Sequence, residues 1–405
     1  MADLWRPLLS EGEATRALAL ARAVADQDTP PAPAADDPGA TAAASLAAGE
    51  AGLAIFHTYA ARTFGGAFGV KLGHNLDAMD DALAELEMPP TLFHGFSGLG
   101  WATAHIERVI ADEEADLDDM DEELLPLLER PWKDRYGLAD GLVGIGVYAL
   151  ERRPSGLADA MLSLVIDRLR ERAIADGRHL TWFTPPEQLA GVDRRTFPNG
   201  HVNLGMAYGV PGVIAFLGAA CLAGHAESAT PLLEGAVPWL LGRELGASSA
   251  GAYPAFLAPG AARTHTRLGW CYGDTGVAAA LLLAARGTGR ADWRTRALAI
   301  ARRAAQRPFE NSGVEDAMLF QGAAGVAHIF NRLFQATGES FLADAARRWF
   351  GHVVDLQERG ASSSDAGLLG GRAGVALALL AASTDVEPQW DRLLLLSARD
   401  ARRTG

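Results

Sequence analysis

The chain has 405 residues, 49% of them hydrophobic, with a formal net charge of −14 and only two cysteines. That charge excludes a partner whose phosphates would have to be neutralised, so no nucleic acid is expected, and two cysteines exclude a disulfide framework. A basic or amphipathic peptide suits it better.

No N-terminal stretch joins a basic region to an apolar one. No apolar run reaches ~18 residues without a charge or helix breaker, so no membrane span is expected and the location expected is cytoplasmic. Leu4 to Ala25 predicts an amphipathic helix, and Asp26 to Ala44 a Pro/Ala-rich linker. Residues 1–44 are therefore set apart from one large domain over 45–405. In that domain G-x-x-G steps begin at Gly49, Gly95, Gly141, Gly209, Gly273, Gly322 and Gly371, at spacings of 46, 46, 68, 64, 49 and 49. Each step opens a small-residue apolar run, such as Val143 to Leu150 or Val277 to Ala285. A one-faced amphipathic segment then follows, such as Gly156 to Ala175. No capping repeat with a polar outer face is evident, so closure into an all-α, α/α toroid of seven helical hairpins is expected over an open solenoid. The two long intervals carry Pro-, Gly- and aromatic-rich insertions, Trp182 to His201 and Ala247 to Arg267, which read as loops at the mouth of the ring.

The residues just before the steps are Ala48, His94, Asp140, Tyr208, Tyr272, Gln321 and Gly370. If the step helices run parallel, these side chains converge on one end of the barrel, with Cys271 one place behind Tyr272 and Arg267 four places further back. Apolar walls with a few convergent polar groups are the usual make-up of a small-substrate site. Cys221 reads as helix packing, and His105 and His328 as packed or surface groups within helices. Asp112 to Glu123 reads as a solvated acidic face. Its Asp116-Leu117-Asp118-Asp119 string matches the acid motif of class II terpene cyclases only in spelling. A glycosidase would need two carboxylates across the cavity, and only Asp140 and Asp274 are placed for that.

Three stretches carry a resemblance: Gly269-Trp270-Cys271-Tyr272-Gly273, Asn203-Leu204-Gly205-Met206-Ala207-Tyr208-Gly209-Val210-Pro211-Gly212, and Leu319-Phe320-Gln321-Gly322-Ala323-Ala324-Gly325. With them the chain resembles the lanthionine synthetase C-like family over roughly residues 45 to 385. The resemblance implies an α/α toroid that closes thioether rings by adding peptide cysteine thiols to dehydroalanine or dehydrobutyrine. The family holds zinc with a cysteine matching Cys271 and a Cys-His pair. Phe320 and Gln321 stand at the places of that pair, and catalytic zinc sites usually take three protein ligands. Tyr208 stands where the family has a proton-transferring histidine. The family's aspartate aligns best with Gly137, with Asp140 nearby, and Arg267 matches its active-site arginine.

The implied protein thus resembles the metal-free cyclase domains of class III lanthipeptide synthetases, with no metal or other cofactor. No kinase or lyase segment accompanies it, so separate dehydrating enzymes are implied, beside the precursor peptide's leader and dehydrated core. Catalytic candidates are His94, Tyr208, Arg267 and Tyr272. Substrate-binding candidates are Asp140, Trp270, Cys271, Gln321, Arg372 and His201. Without zinc, a thiol of pKa about 8.5 is still a few per cent thiolate at neutral pH, a penalty of about 10–30-fold. The alternative is a non-catalytic pseudo-cyclase that binds the precursor or scaffolds the dehydrating enzymes.

Overall fold

The structure, a computed structural model, describes residues 5–27, 39–66, 68–360 and 363–399. All seven steps cap helices: Gly49, Gly95, Gly141, Gly209, Gly273, Gly322 and Gly371 are the N-caps of Glu50–Phe64, Phe96–Ala111, Leu142–Glu151, Val210–Ala220, Asp274–Thr288, Ala323–Thr337 and Arg372–Ser383. The second glycine of a step is required by a close approach. A Cβ on Gly98, Gly212, Gly325 or Gly374 would strike the carbonyl oxygen of Leu92, Met206, Leu319 or Leu368, each six residues earlier. The incoming chain therefore lies directly on the helix start. At Gly273 a φ of 113° adds a backbone reason, since L side chains rarely adopt it.

The step helices are buried nearly all round; every residue of Val210–Ala220 is buried. The helices that follow bury one stripe. In Ser340–Glu358 this is Leu342, Ala345, Ala346, Trp349, Phe350 and Val353, the i, i+3, i+4 spacing of one face. The apolar stretch Val210–Leu241 is long enough to cross a membrane by length and composition. Here it is broken at Gly224, with φ 102°, and is mostly buried.

The chain divides into two compact units, Met1–Leu117 with Val314–Trp390, and Asp118–Gly313 with Asp391–Gly405. In the first unit a backbone ladder joins residues two places before the steps. Phe320 N–H donates to Leu369 O at 3.0 Å, Leu369 N–H to Ala47 O at 2.9 Å, and Ala47 N–H to Phe93 O at 3.0 Å. The seventh step thus bonds directly to the first within this unit. The N-terminal helix runs Glu11–Asp26, later than expected because Trp5 to Ser10 form a non-helical lead-in (Leu4 lies outside the described residues). That lead-in is tied down: Trp5 Nε1 donates to Ala381 O at 2.8 Å and Leu8 N–H to Ala382 O at 2.8 Å. Of the expected linker, residues 28–38 lie outside the described residues and Ala40–Ala44 is a short helix. His105 and His328 are fully buried, stacked on Trp101 and Trp390 with ring centroids 4.6 and 4.7 Å apart.

In the second unit Ala139 N–H donates to Ala207 O at 2.8 Å, continuing the same register. Cys271 stands at the equivalent place before Gly273. The two insertions are not plain loops. The first contains the 3-10 turn Pro186–Gln188 and the helix Gly191–Thr196. The strand just after it, Val202–Asn203, pairs antiparallel with Phe256–Leu257 of the second. The acidic run is exposed as expected at every acidic residue but one, Asp121. Asp121 is fully buried, accepting from Tyr148 Oη at 2.5 Å and from Arg152 Nε at 3.0 Å. A buried carboxylate needs such partners, and these supply them.

Candidate functional site

The second unit holds a pocket of about 220 Å³. Asp140 and Tyr208 reach it from the ends of two steps, Tyr272 from a third, and His201, Asn203 and Phe256 from the zipped insertions. One wall is aromatic: His201, Phe256 and Tyr272 follow one another with ring centroids 5.0 and 5.2 Å apart, and Phe197, outside the lining, packs on His201 at 4.4 Å. The facing polar side is built on Arg135. Its Nη1 donates to Asp140 Oδ2 at 2.7 Å, while Nε and Nη2 donate to Gln188 O at 3.0 and 2.7 Å. One guanidinium therefore fixes both the carboxylate and the first insertion. Asp140 Oδ1 is buried with no hydrogen-bond partner among the described residues. Burial raises the Asp140 pKa, opposed by Arg135.

His201 is 4% exposed, with Nδ1 unpartnered among the described residues, and its backbone exchanges hydrogen bonds with Thr184 at 2.9 and 3.0 Å. Burial pushes its imidazole down to about 4, so it is neutral at neutral pH. Burial also raises Tyr208 and Tyr272 above the ordinary phenol value, so both keep their protons. The Tyr272 hydroxyl accepts from Asn203 Nδ2 at 3.1 Å, and Asn203 Oδ1 accepts from Gly205 N–H at 2.8 Å. A side chain on Gly205 would run into the Cys271 carbonyl and, at 2.7 Å, the Tyr272 ring. The buried Cys271 thiol is in neither a disulfide nor the pocket lining, yet lies within electrostatic reach of both tyrosines.

Of the residues singled out from sequence, the pocket brings together Asp140, His201, Tyr208 and Tyr272. Trp270 is a correction. It is fully buried and its Nε1 donates to Leu394 O at 2.9 Å, so it secures the C-terminal segment and presents no wall to a substrate. Arg267 is half-buried and stands outside the lining.

In the first unit, Arg372 Nη1 donates to Ser363 O and Ser364 O at 3.0 and 2.8 Å, while its Nε is buried with no partner among the described residues. Gln321 is half-buried. His94 is solvent-accessible, yet enough protein surrounds it for desolvation to hold its imidazole below the ordinary value. The sequence reading missed Arg135, Asn203 and Phe256. Asn203 opens a motif that was recognised, but no spacing marks Arg135 or Phe256.

A catalytic zinc would need three protein ligands. Among the described residues no three His, Cys, Asp or Glu side chains are placed to hold a metal ion, so the donor set does not fit zinc.

The lanthionine synthetase C-like protein family matches residues 41–395, and the chain belongs to that family. Among solved structures the chain is similar to nisin cyclase, with a TM-score of 0.76 at 17% identity, covering 95% of this chain and 97% of that one. The likeness shows the fold, which is the all-α, α/α-toroid class expected from the glycine steps. No curated protein matches by sequence.

Proposed function

We propose that this protein promotes thioether ring closure on a dehydrated precursor peptide without zinc. The observation that carries this reading is the pair of protonated phenols, Tyr208 and Tyr272, lining one pocket of the second unit. The peptide thiol loses its proton, sulfur adds to the β-carbon of the dehydro residue, and the C=C pair moves onto the acyl oxygen. The α-carbon then takes a proton, so the net change is one S–H bond and one C=C π bond lost, one C–S and one C–H formed. Tyr208 and Tyr272 donate to the developing oxyanion, where preorganised donors act most strongly. A raised phenol pKa suits that role, because the donor keeps its proton. An amide enolate is far more basic than a phenolate, so Tyr208 can still pass its proton to the α-carbon, and the proton lost by the thiol returns to Tyr208 through solvent.

No step is assigned to Arg267, which stands outside the lining, or to His94, Gln321 or Arg372. Separate dehydrating enzymes supply the substrate. The test is to incubate a dehydrated, cysteine-containing precursor with the purified protein and count free thiols by alkylation and mass. We expect faster closure and one stereochemical outcome; a rate and product mixture equal to buffer alone would overturn the catalytic reading in favour of a scaffold.

A further inference from the structure

The pocket is unevenly furnished with hydrogen-bonding groups. Its nitrogen donors are engaged, which leaves the two phenol hydroxyls as donors. Three Arg135 nitrogens are committed to Asp140 and Gln188, and Asn203 Nδ2 to Tyr272. Its buried acceptor capacity is open: Asp140 Oδ1 has no partner among the described residues, nor has His201 Nδ1, which accepts in the tautomer that carries the imidazole proton on Nε2. The lining carries one cation, Arg135, and two carboxylates, Asp140 and Asp193, for a net of −1 while His201 is neutral. At about 220 Å³ the pocket is below the roughly 300–1,000 Å³ of drug-sized sites, which suits the dehydro residue at the two phenols with one neighbouring side chain and not a longer peptide segment.

We propose that this pocket reads the residue beside the reacting one in the peptide, accepting N–H groups at Asp140 Oδ1 and His201 Nδ1 and rejecting acidic side chains. This rests on the peptide-modifying reading above. A glutamine or lysine side chain brings the hydrogens that the two open acceptors lack. A glutamate brings a second uncompensated anion to a carboxylate whose cation is already engaged, and finds only phenol hydrogens to meet it. Like charges at this depth are screened less than at the surface.

The test uses three synthetic peptides that contain dehydroalanine but no cysteine, so no ring can close. They differ only in the residue beside dehydroalanine: glutamine, lysine or glutamate. Binding to the full chain is measured calorimetrically at one fixed ionic strength. We expect the glutamate peptide to bind roughly tenfold or more weakly than the others, and Asp140→Asn to shrink that ratio to about twofold. Asp193→Asn, at an exposed position, should move the ratio the same way and keeps the test decisive if Asp140→Asn does not fold. Equal binding of all three peptides overturns the pocket assignment and leaves ring closure standing. So does an absence of binding by all three while cysteine-containing counterparts are still cyclised. Absence of both binding and closure removes the functional reading as well.

Discussion

Tyr208 and His201 face the same pocket and were shifted in opposite directions by the same cause. Burial raises the phenol and lowers the imidazole, because in each case it disfavours the charged form. For Tyr208 the consequence is chemical: Tyr208→Phe keeps the ring and removes the donor, and should slow ring closure by about 10²-fold, read from free-thiol decay. For His201 the consequence is stability. Its folded pKa of about 4 lies below the unfolded value near 6.5, so the unfolded chain takes up the proton first. Stability is whole above about pH 6.5, declines as pH falls from there to about 4, and loses roughly 3 kcal/mol at most. Melting curves of His201→Gln and the parent should therefore diverge across that window and run parallel above it. Trp270 shows why residue roles are hard to read from a string. An aromatic beside Cys271 reads as a wall, yet its indole N–H is satisfied by Leu394 O, which lies 124 positions away.

The glycine steps were legible at the level of the element because they leave a chemical requirement in the sequence. Where the incoming backbone lies on the helix start, a side chain has no room. Gly212→Ala should cost about 1–3 kcal/mol or prevent folding, since its Cβ meets the Met206 carbonyl. Gly351→Ala, in mid-helix with nothing within 4 Å of the new Cβ, should instead stabilise by about 0.5–1 kcal/mol. Thermal melts of both variants distinguish close approach from helix propensity.

The two insertions were legible only as long, unusual segments. Two-residue strands carry no period, and their pairing depends on partners more than 50 positions apart. The second insertion is held by Asp274, buried at the helix start, whose Oδ2 and Oδ1 accept from Ala252 and Tyr253 N–H at 2.8 and 3.0 Å. Asp274→Ala strands those two donors and should cost about 2–4 kcal/mol, with faster amide exchange over residues 247–267 than elsewhere.

For the molecule as a whole, the donor set carries the reading on metal. If ring closure is zinc-independent, removing trace metal with a chelator should leave both melting temperature and closure rate unchanged. Stoichiometric zinc in the purified protein would overturn that reading. The repeat number and the all-α toroid class were readable from seven glycine pairs. The division into two units was not, because the first unit is assembled from both ends of the chain.

That assembly has a consequence during synthesis. The bond from Leu369 N–H to Ala47 O cannot form until nearly the whole chain has left the ribosome. The second unit is largely one continuous run, Asp118–Gly313, and is available earlier. At ~5–20 residues per second, the first two hairpins wait on the order of ten seconds or more for their partners, with apolar flanks uncovered. Nascent chains arrested before residue 314 should therefore be the species that recruit chaperones, and translation speed between residues 118 and 313 should govern the soluble yield.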